Sequence, residues 1–200
     1  MLESFSITPE VDLESFRPAF EAGGYLGAAS ANVQVRADEQ ARMVDRFGRV
    51  CEMAREYGLV VATEMSRRMA LKTVPEGVAF LKQVGASNAR LLIDTLHFFR
   101  FDQPVESLAE GEGLIGRIQL CDGRSPAPPA DEQLQEAMHD RLPAGEGVLP
   151  LREFLAAIPE DILIGIEVPM RELQQQGVSA AERAALNFRA ARKLIASLPA

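Results

Sequence analysis

Short apolar runs alternate along the chain with segments whose apolar residues recur every three or four positions. The runs are Leu2–Ile7, Ala28–Val35, Leu59–Met65, Arg90–Thr95, Ile115–Cys121 and Ile162–Val168. Each has strand length, and several are nearly continuous in apolar character. That is the pattern of strands buried on both faces of a parallel sheet. Strands that alternate with helical patterns predict βαβ units.

The helices carry their own signals. Asp38 is placed to cap a helix with Val44, Phe47, Val50, Cys51 and Ala54 on its apolar face, and Gly58 follows as its terminator. Thr73 and Glu76 have capping-box spacing ahead of Val78, Leu81 and Val84, and Gly85 ends that helix. Ser179 and Glu182 repeat the box before a last helix. Its expected apolar face is Ala181, Ala185, Phe188, Ala191 and Ile195. Leu151–Ile158 predicts a shorter helix closed by Pro159. Asp122–Pro150 breaks the rhythm with a long Pro/Ala/Gly-rich stretch and a helical turn near Glu132–Met138. A loop of that length inside a compact domain is usually functional.

Composition narrows the function. The chain has 200 residues, 47% hydrophobic and 25% charged, which suits one globular domain over residues 1–200. The formal net charge is −8. Such a balance disfavours a nucleic-acid groove, which needs clustered Lys and Arg, and equally an anionic membrane surface. No apolar run approaches the roughly 18 residues of a membrane span. The N-terminus lacks a basic region followed by an apolar one, so no signal peptide is expected. Two cysteines, Cys51 and Cys121, lie in apolar stretches and predict buried thiols, not a disulfide framework. A cytoplasmic protein is the resulting expectation.

The strand ends carry the chemistry. The third run ends in Glu64 and the fourth in Asp94; the fifth ends in Gln119 and the sixth in Glu167. In a parallel α/β barrel the active site is built at these C-terminal ends. Carboxylates packed together resist ionisation unless a cation compensates. Three carboxylates and an amide oxygen, with no thiolate or imidazole, favour Mg²⁺ or Mn²⁺ over Zn²⁺. His97, three residues after Asp94, is placed to hydrogen-bond a substrate oxygen or carry a proton. Arg141, in the long loop, is placed to clamp a carboxylate, phosphate or hydroxyl group. His139 is expected in solvent. Arg67, Arg68 and Arg100 are weaker candidates, and Phe98 and Phe99 are expected to pack.

Taken in order, Glu64, Asp94-Thr-Leu-His97, Arg117-Ile-Gln-Leu-Cys-Asp122, Arg141-Leu-Pro-Ala-Gly-Glu-Gly147 and Ile164-Gly-Ile-Glu-Val-Pro169 form a recognisable series. It resembles the xylose isomerase-like TIM-barrel superfamily, and most of all its sugar phosphate isomerase/epimerase group. The resemblance implies a divalent metal held by Glu64, Asp94, Gln119 and Glu167. It implies proton exchange by Glu64 and Glu167 beside a substrate carbonyl, with His97 and Arg141 touching substrate. The substrate it implies is a sugar or another small polyhydroxy ketone.

Three departures from the family pattern stand out. Many relatives have histidine where this chain has Gln119. Glutamine there is similar to some dehydratases, including those acting on 3-dehydroshikimate, and the alternative reading is a dehydratase of a 3-dehydroshikimate-like or inosose-like cyclic ketone. The loop of relatives reads Pro-Gly-Glu-Gly, whereas Ala144 here separates Pro143 from Gly145. The largest is the strand count. Six strands are visible where the (β/α)₈ pattern has eight, so two N-terminal βα units, on the order of 50 residues, are expected to be missing. The fold expected is therefore an N-terminally incomplete α/β TIM barrel. Exposed strand edges then suggest a third reading, a catalytically silent chain that binds a partner or forms a homo-oligomer.

Overall fold

The computed structural model describes residues 1–198. Six strands make one sheet in sequence order: β1 (Leu2–Ile7), β2 (Ser30–Val35), β3 (Val60–Glu64), β4 (Ala89–Asp94), β5 (Ile115–Leu120) and β6 (Leu163–Ile166). They run parallel, which makes the fold an incomplete α/β barrel of the TIM type. The helices are α1 (Arg17–Tyr25), α2 (Gln40–Glu56), α3 (Val74–Val84), α4 (Thr95–Arg100), α5 (Gln133–His139), α6 (Leu151–Ala156), α7 (Arg171–Gln175) and α8 (Ala180–Ile195). Two compact units divide the chain. The first is residues 1–93 with 107–117, and the second is residues 94–106 with 118–200.

In the first unit the β2 pattern shows why the strands sit as they do. Ala31, Val33 and Val35 are fully buried on one face. Ser30, Asn32 and Gln34 alternate with them and carry side-chain hydrogen bonds. Arg117 Nη1 donates to Ser30 Oγ at 2.8 Å, and Asn32 Nδ2 donates to Glu3 Oε2 at 3.0 Å. Phe47 of α2 and Phe80 of α3 meet edge to face at 5.3 Å. In the second unit, Leu96, Cys121 and Ala137 form a buried cluster covered by Leu149 and Val168. Phe154 of α6 packs edge-on against both Phe98 and Phe99.

Most predicted elements fall within two or three residues of their observed bounds, and four details differ. The cap of α2 is Glu39, whose side chain accepts from Ala41 N–H, because Asp38 bonds the N–H of Glu39 instead. Met43 is buried on that helix where Val44 is half-buried, a shift of one position around its axis. At α3 the Thr73 hydroxyl accepts from Glu76 N–H, but Glu76 reaches back to Lys72 N–H, so the box is only half closed. The Ser179–Glu182 box is complete.

The fourth difference is at the end of the chain. α8 buries Asn187, Ala191 and Leu194, while Phe188 and Ile195 stay exposed. β6, read from its apolar run as buried on both faces, leaves Leu163 and Ile166 exposed. β6 is the last strand of the sheet, with no seventh strand in these residues to cover it. An apolar run reports a preference for burial, and the end of a sheet leaves that preference unmet.

Candidate functional site

The second unit assembles four of the expected residues. Asp94 closes β4 and caps α4: its Oδ1 accepts from His97 N–H at 3.1 Å. This places Asp94 and His97 on one helical turn, with a ring nitrogen of His97 within 4.8 Å of a carboxylate oxygen of Asp94. The other oxygen, Oδ2, accepts from Arg141 Nη1 at 2.5 Å. The same Nη1 contacts Glu167 Oε2 at 3.4 Å and its carbonyl at 3.2 Å, and Arg141 Nε donates to Ala137 O at 2.7 Å. The Asp94, Arg141 and Glu167 side chains are 0%, 4% and 44% exposed, so Glu167 is the solvent-facing member.

The electrostatics follow from burial. Burial alone would raise the Asp94 pKa, but the Arg141 and His97 charges and the hydrogen bonds outweigh it and hold the carboxyl below its usual range. Burial pushes His97 down, reinforced by Arg141 and opposed by Asp94 and Glu136. Arg141 is raised, because the neighbouring Asp94 charge overcomes the desolvation that would lower it.

Gln119, on β5, is buried, and its Oε1 has no hydrogen-bond partner among the described residues. A buried amide oxygen without a donor costs about 1–3 kcal/mol, which is seldom tolerated without use. Thr95 fixes the strand around it. Its hydroxyl donates to Cys121 O at 2.8 Å and accepts from Cys121 N–H at 3.0 Å. Glu64 ends β3 in the first unit, 7% exposed, and its Oε2 accepts from Gln34 Nε2 at 3.2 Å. The oxygen donors of the second unit, the Asp94 and Glu167 carboxylates and the unsatisfied Gln119 amide oxygen, are of the kind that suits a hard divalent cation.

Several residues were missed by the sequence reading. Gln34 was hidden inside a strand pattern, although polar Ser30, Asn32 and Gln34 alternating with Ala31, Val33 and Val35 was a visible signal. Glu136 makes a two-point ion pair with Arg100 at 2.6 and 2.8 Å, both side chains buried. Asp122 is 1% exposed and anchors the long loop. His139, expected in solvent, is half-buried at the C-terminal end of α5.

The comparisons with known proteins add the lineage. A family model for the xylose isomerase-like TIM barrel matches residues 13–194. The chain belongs to this family. A D-psicose 3-epimerase of Agrobacterium fabrum is 34% identical over 65 residues, 31% of this chain and 22% of the epimerase. The stretch matched is thus well under two thirds of that relative.

Among solved structures of the same fold, the IolI protein with a bound zinc atom superposes with a TM-score of 0.82 at 17% identity. That match covers 100% of this chain and 77% of IolI. A D-psicose 3-epimerase of Clostridium cellulolyticum, solved with D-tagatose, gives 0.71 at 16% identity over 96% and 74% of the two chains. The probable 3-DHS dehydratase AsbF of Bacillus anthracis gives 0.73 at 17% over 92% and 74%. The family resemblance seen in the motifs is therefore correct; two of these similar proteins are named as epimerases and one as a probable dehydratase. Among the described residues no helix is long and apolar enough to cross a membrane.

Proposed function

We propose that the chain, taken as one domain over residues 1–200, is a divalent-metal-dependent isomerase or epimerase of a small sugar or related polyhydroxy ketone. The observation that carries this reading is the unsatisfied, buried Oε1 of Gln119 in a unit that also holds Asp94 and Glu167 at strand ends. Glu64, Asp94, Gln119 and Glu167 would hold the ion, Mn²⁺ or Mg²⁺ by their oxygen character. When bound, such an ion supplies Lewis-acid polarisation of a carbonyl oxygen.

The chain's own residues do the rest. Glu64 and Glu167 remove and return the proton on the carbon beside the carbonyl, a general-base and general-acid pair. Glu167, the more exposed, meets an incoming substrate. His97 hydrogen-bonds a substrate oxygen. Arg141 lies beside the substrate with its charge already shared between Asp94 and Glu167.

Gln119 favours a second reading, a dehydratase of a 3-dehydroshikimate-like or inosose-like cyclic ketone. The two readings share proton abstraction and differ in whether a hydroxyl then leaves. Incubation with Mn²⁺ in deuterated water separates them. Epimerisation places deuterium at the reacting carbon of a recovered sugar, while dehydration gives an absorbing enone or aromatic product. Glu167→Gln should lose at least about 10²-fold in rate with native folding. An unchanged rate in that variant sinks the assignment. A chain that binds Mn²⁺ but turns over neither class favours the catalytically silent reading. We also propose self-association through the exposed β6 and α8 residues Leu163, Ile166 and Phe188, tested by sedimentation of Leu163→Lys.

A further inference from the structure

One buried carboxylate organises the whole loop that delivers Arg141. Asp122 is 1% exposed and accepts four backbone N–H groups. Its Oδ1 takes Gly123 at 2.8 Å and Leu149 at 3.0 Å, and its Oδ2 takes Gly145 and Gly147, each at 3.0 Å. Its own backbone pairs in both directions with Leu142, at 2.8 and 3.0 Å, in an isolated antiparallel bridge. Leu142 is the residue after Arg141. One residue thus fixes the chain on the C-terminal side of Arg141 at four successive points.

The loop sequence suits this arrangement. Glu146 N–H donates to Pro143 O at 3.0 Å, closing a turn in which Gly145 has φ 83°. That left-handed position favours glycine, which explains why Ala144 is accommodated one place earlier. Ala144 itself is 3% exposed. A Cβ on Gly147 would run into the Asp122 carboxylate and the Gly123 carbonyl, so this glycine is required by close approach.

We propose that Asp122 is a positioning residue for the site: it sets the loop so that the Arg141 guanidinium bridges Asp94 and Glu167. The role of Arg141 in turnover rests on the function proposed above, but its placement does not. The Arg141 side chain is held by Ala137 O on α5, by Asp94 at the end of β4 and by Glu167, and none of these contacts orients the backbone of Arg141. The Asp122 contacts do.

The test is made on the full chain without added metal. In native protein the Arg141 Nε–H, bonded to Ala137 O, should give a slowly exchanging signal in a nitrogen-15 spectrum. The amides of Gly145, Gly147 and Leu149 should exchange slowly too. Asp122→Asn keeps the shape but turns a donor group toward N–H donors. It should speed exchange at those three amides by at least tenfold and remove Arg141 Nε–H protection, while amides of α8 are unchanged. If the loop amides loosen and Arg141 Nε–H stays protected, Asp122 merely supports the loop and the proposal is overturned.

Gly147→Ala is the second variant, should Asp122→Asn not fold. It displaces the loop from an intact carboxylate and should give the same loss at Arg141; retained protection there also overturns the proposal. With Mn²⁺ added, Asp122→Asn should tighten binding, because a displaced guanidinium no longer competes for the Asp94 and Glu167 carboxylates, and should have no such effect in an Arg141→Met background. Native protein that binds no Mn²⁺ at all defeats the metal reading and leaves the exchange result standing.

Discussion

Arg141 Nη1 donates to Asp94 Oδ2 at 2.5 Å, with the two side chains 4% and 0% exposed. A pair so far from water behaves differently from one at the surface. Removing one partner leaves the other charge buried and uncompensated, at a cost of about 3–5 kcal/mol. Arg141→Met keeps most of the volume and removes the charge, so it should lower unfolding stability by that amount. The Arg171–Asp140 pair, at 2.9 Å but 43% and 30% exposed, is the comparison. Arg171→Met should cost less than about 1 kcal/mol. Urea unfolding of the two variants decides it, and equal losses would mean that burial is not what makes the first pair matter.

The same engagement bears on the substrate. Arg141 donates to Asp94 and Glu167, Arg100 is spent on Glu136 and Arg124 O, and the chain carries a net charge of −8. Neither Arg141 nor Arg100 thereby offers an uncommitted guanidinium to a phosphate. A neutral ketose should therefore be the better substrate. Its phosphate ester should show kcat/KM lower by about tenfold or more, the penalty of one unpaired charge near acidic groups. Parallel assays of a free ketose and its phosphate ester make the comparison. Preference for the ester would redirect attention to Arg67 and Arg68.

Burial makes a further prediction at the two cysteines. It pushes the Cys51 thiol up to about 12, with a small added push from Glu52, and Cys121 likewise to about 12. An unfolded thiol titrates near ~8.5. Because the folded pKa is the higher one, folding favours the protonated form. The stability from this source is complete below ~8.5 and is lost as pH rises through about 12. Neither thiol should react with a disulfide reagent at pH 8 until the protein unfolds. Rapid labelling of the native protein would contradict their burial.

The parts of this fold that were legible in the sequence are those governed by local periodicity. β1 was readable because six residues of strand pattern end at the Thr8-Pro9 turn, and Ser179–Glu182 because a capping box is a spacing of three. Glu64, Asp94, Gln119 and Glu167 were visible as polar residues that interrupt apolar runs. Glu64 lies in the first unit and the other three in the second. What stayed hidden depends on distant partners. Asp122 reads as a loop residue until its four backbone donors, up to 27 positions away, are seen. Phe188 reads as core by spacing, and is exposed because the helix face that packs is set by β6 and α6 and not by α8 alone.

Gln119 offers the sharpest separation of function from stability. Its Oε1 is buried with no partner among the described residues, and such an atom costs about 1–3 kcal/mol. Gln119→Leu removes the atom and keeps much of the volume, so it should raise unfolding stability by about 1 kcal/mol in metal-free protein. The same change deletes a proposed ligand and should weaken Mn²⁺ binding by 10-fold or more, on the order of 1.4 kcal/mol. Gln119→His replaces oxygen with imidazole and should shift preference from Mn²⁺ toward Zn²⁺. Titration of each variant with both metals, alongside urea unfolding without metal, gives the answer. A Gln119→Leu variant that is both less stable and undiminished in Mn²⁺ affinity would show that this amide serves packing, and the metal site would then have to be sought without it.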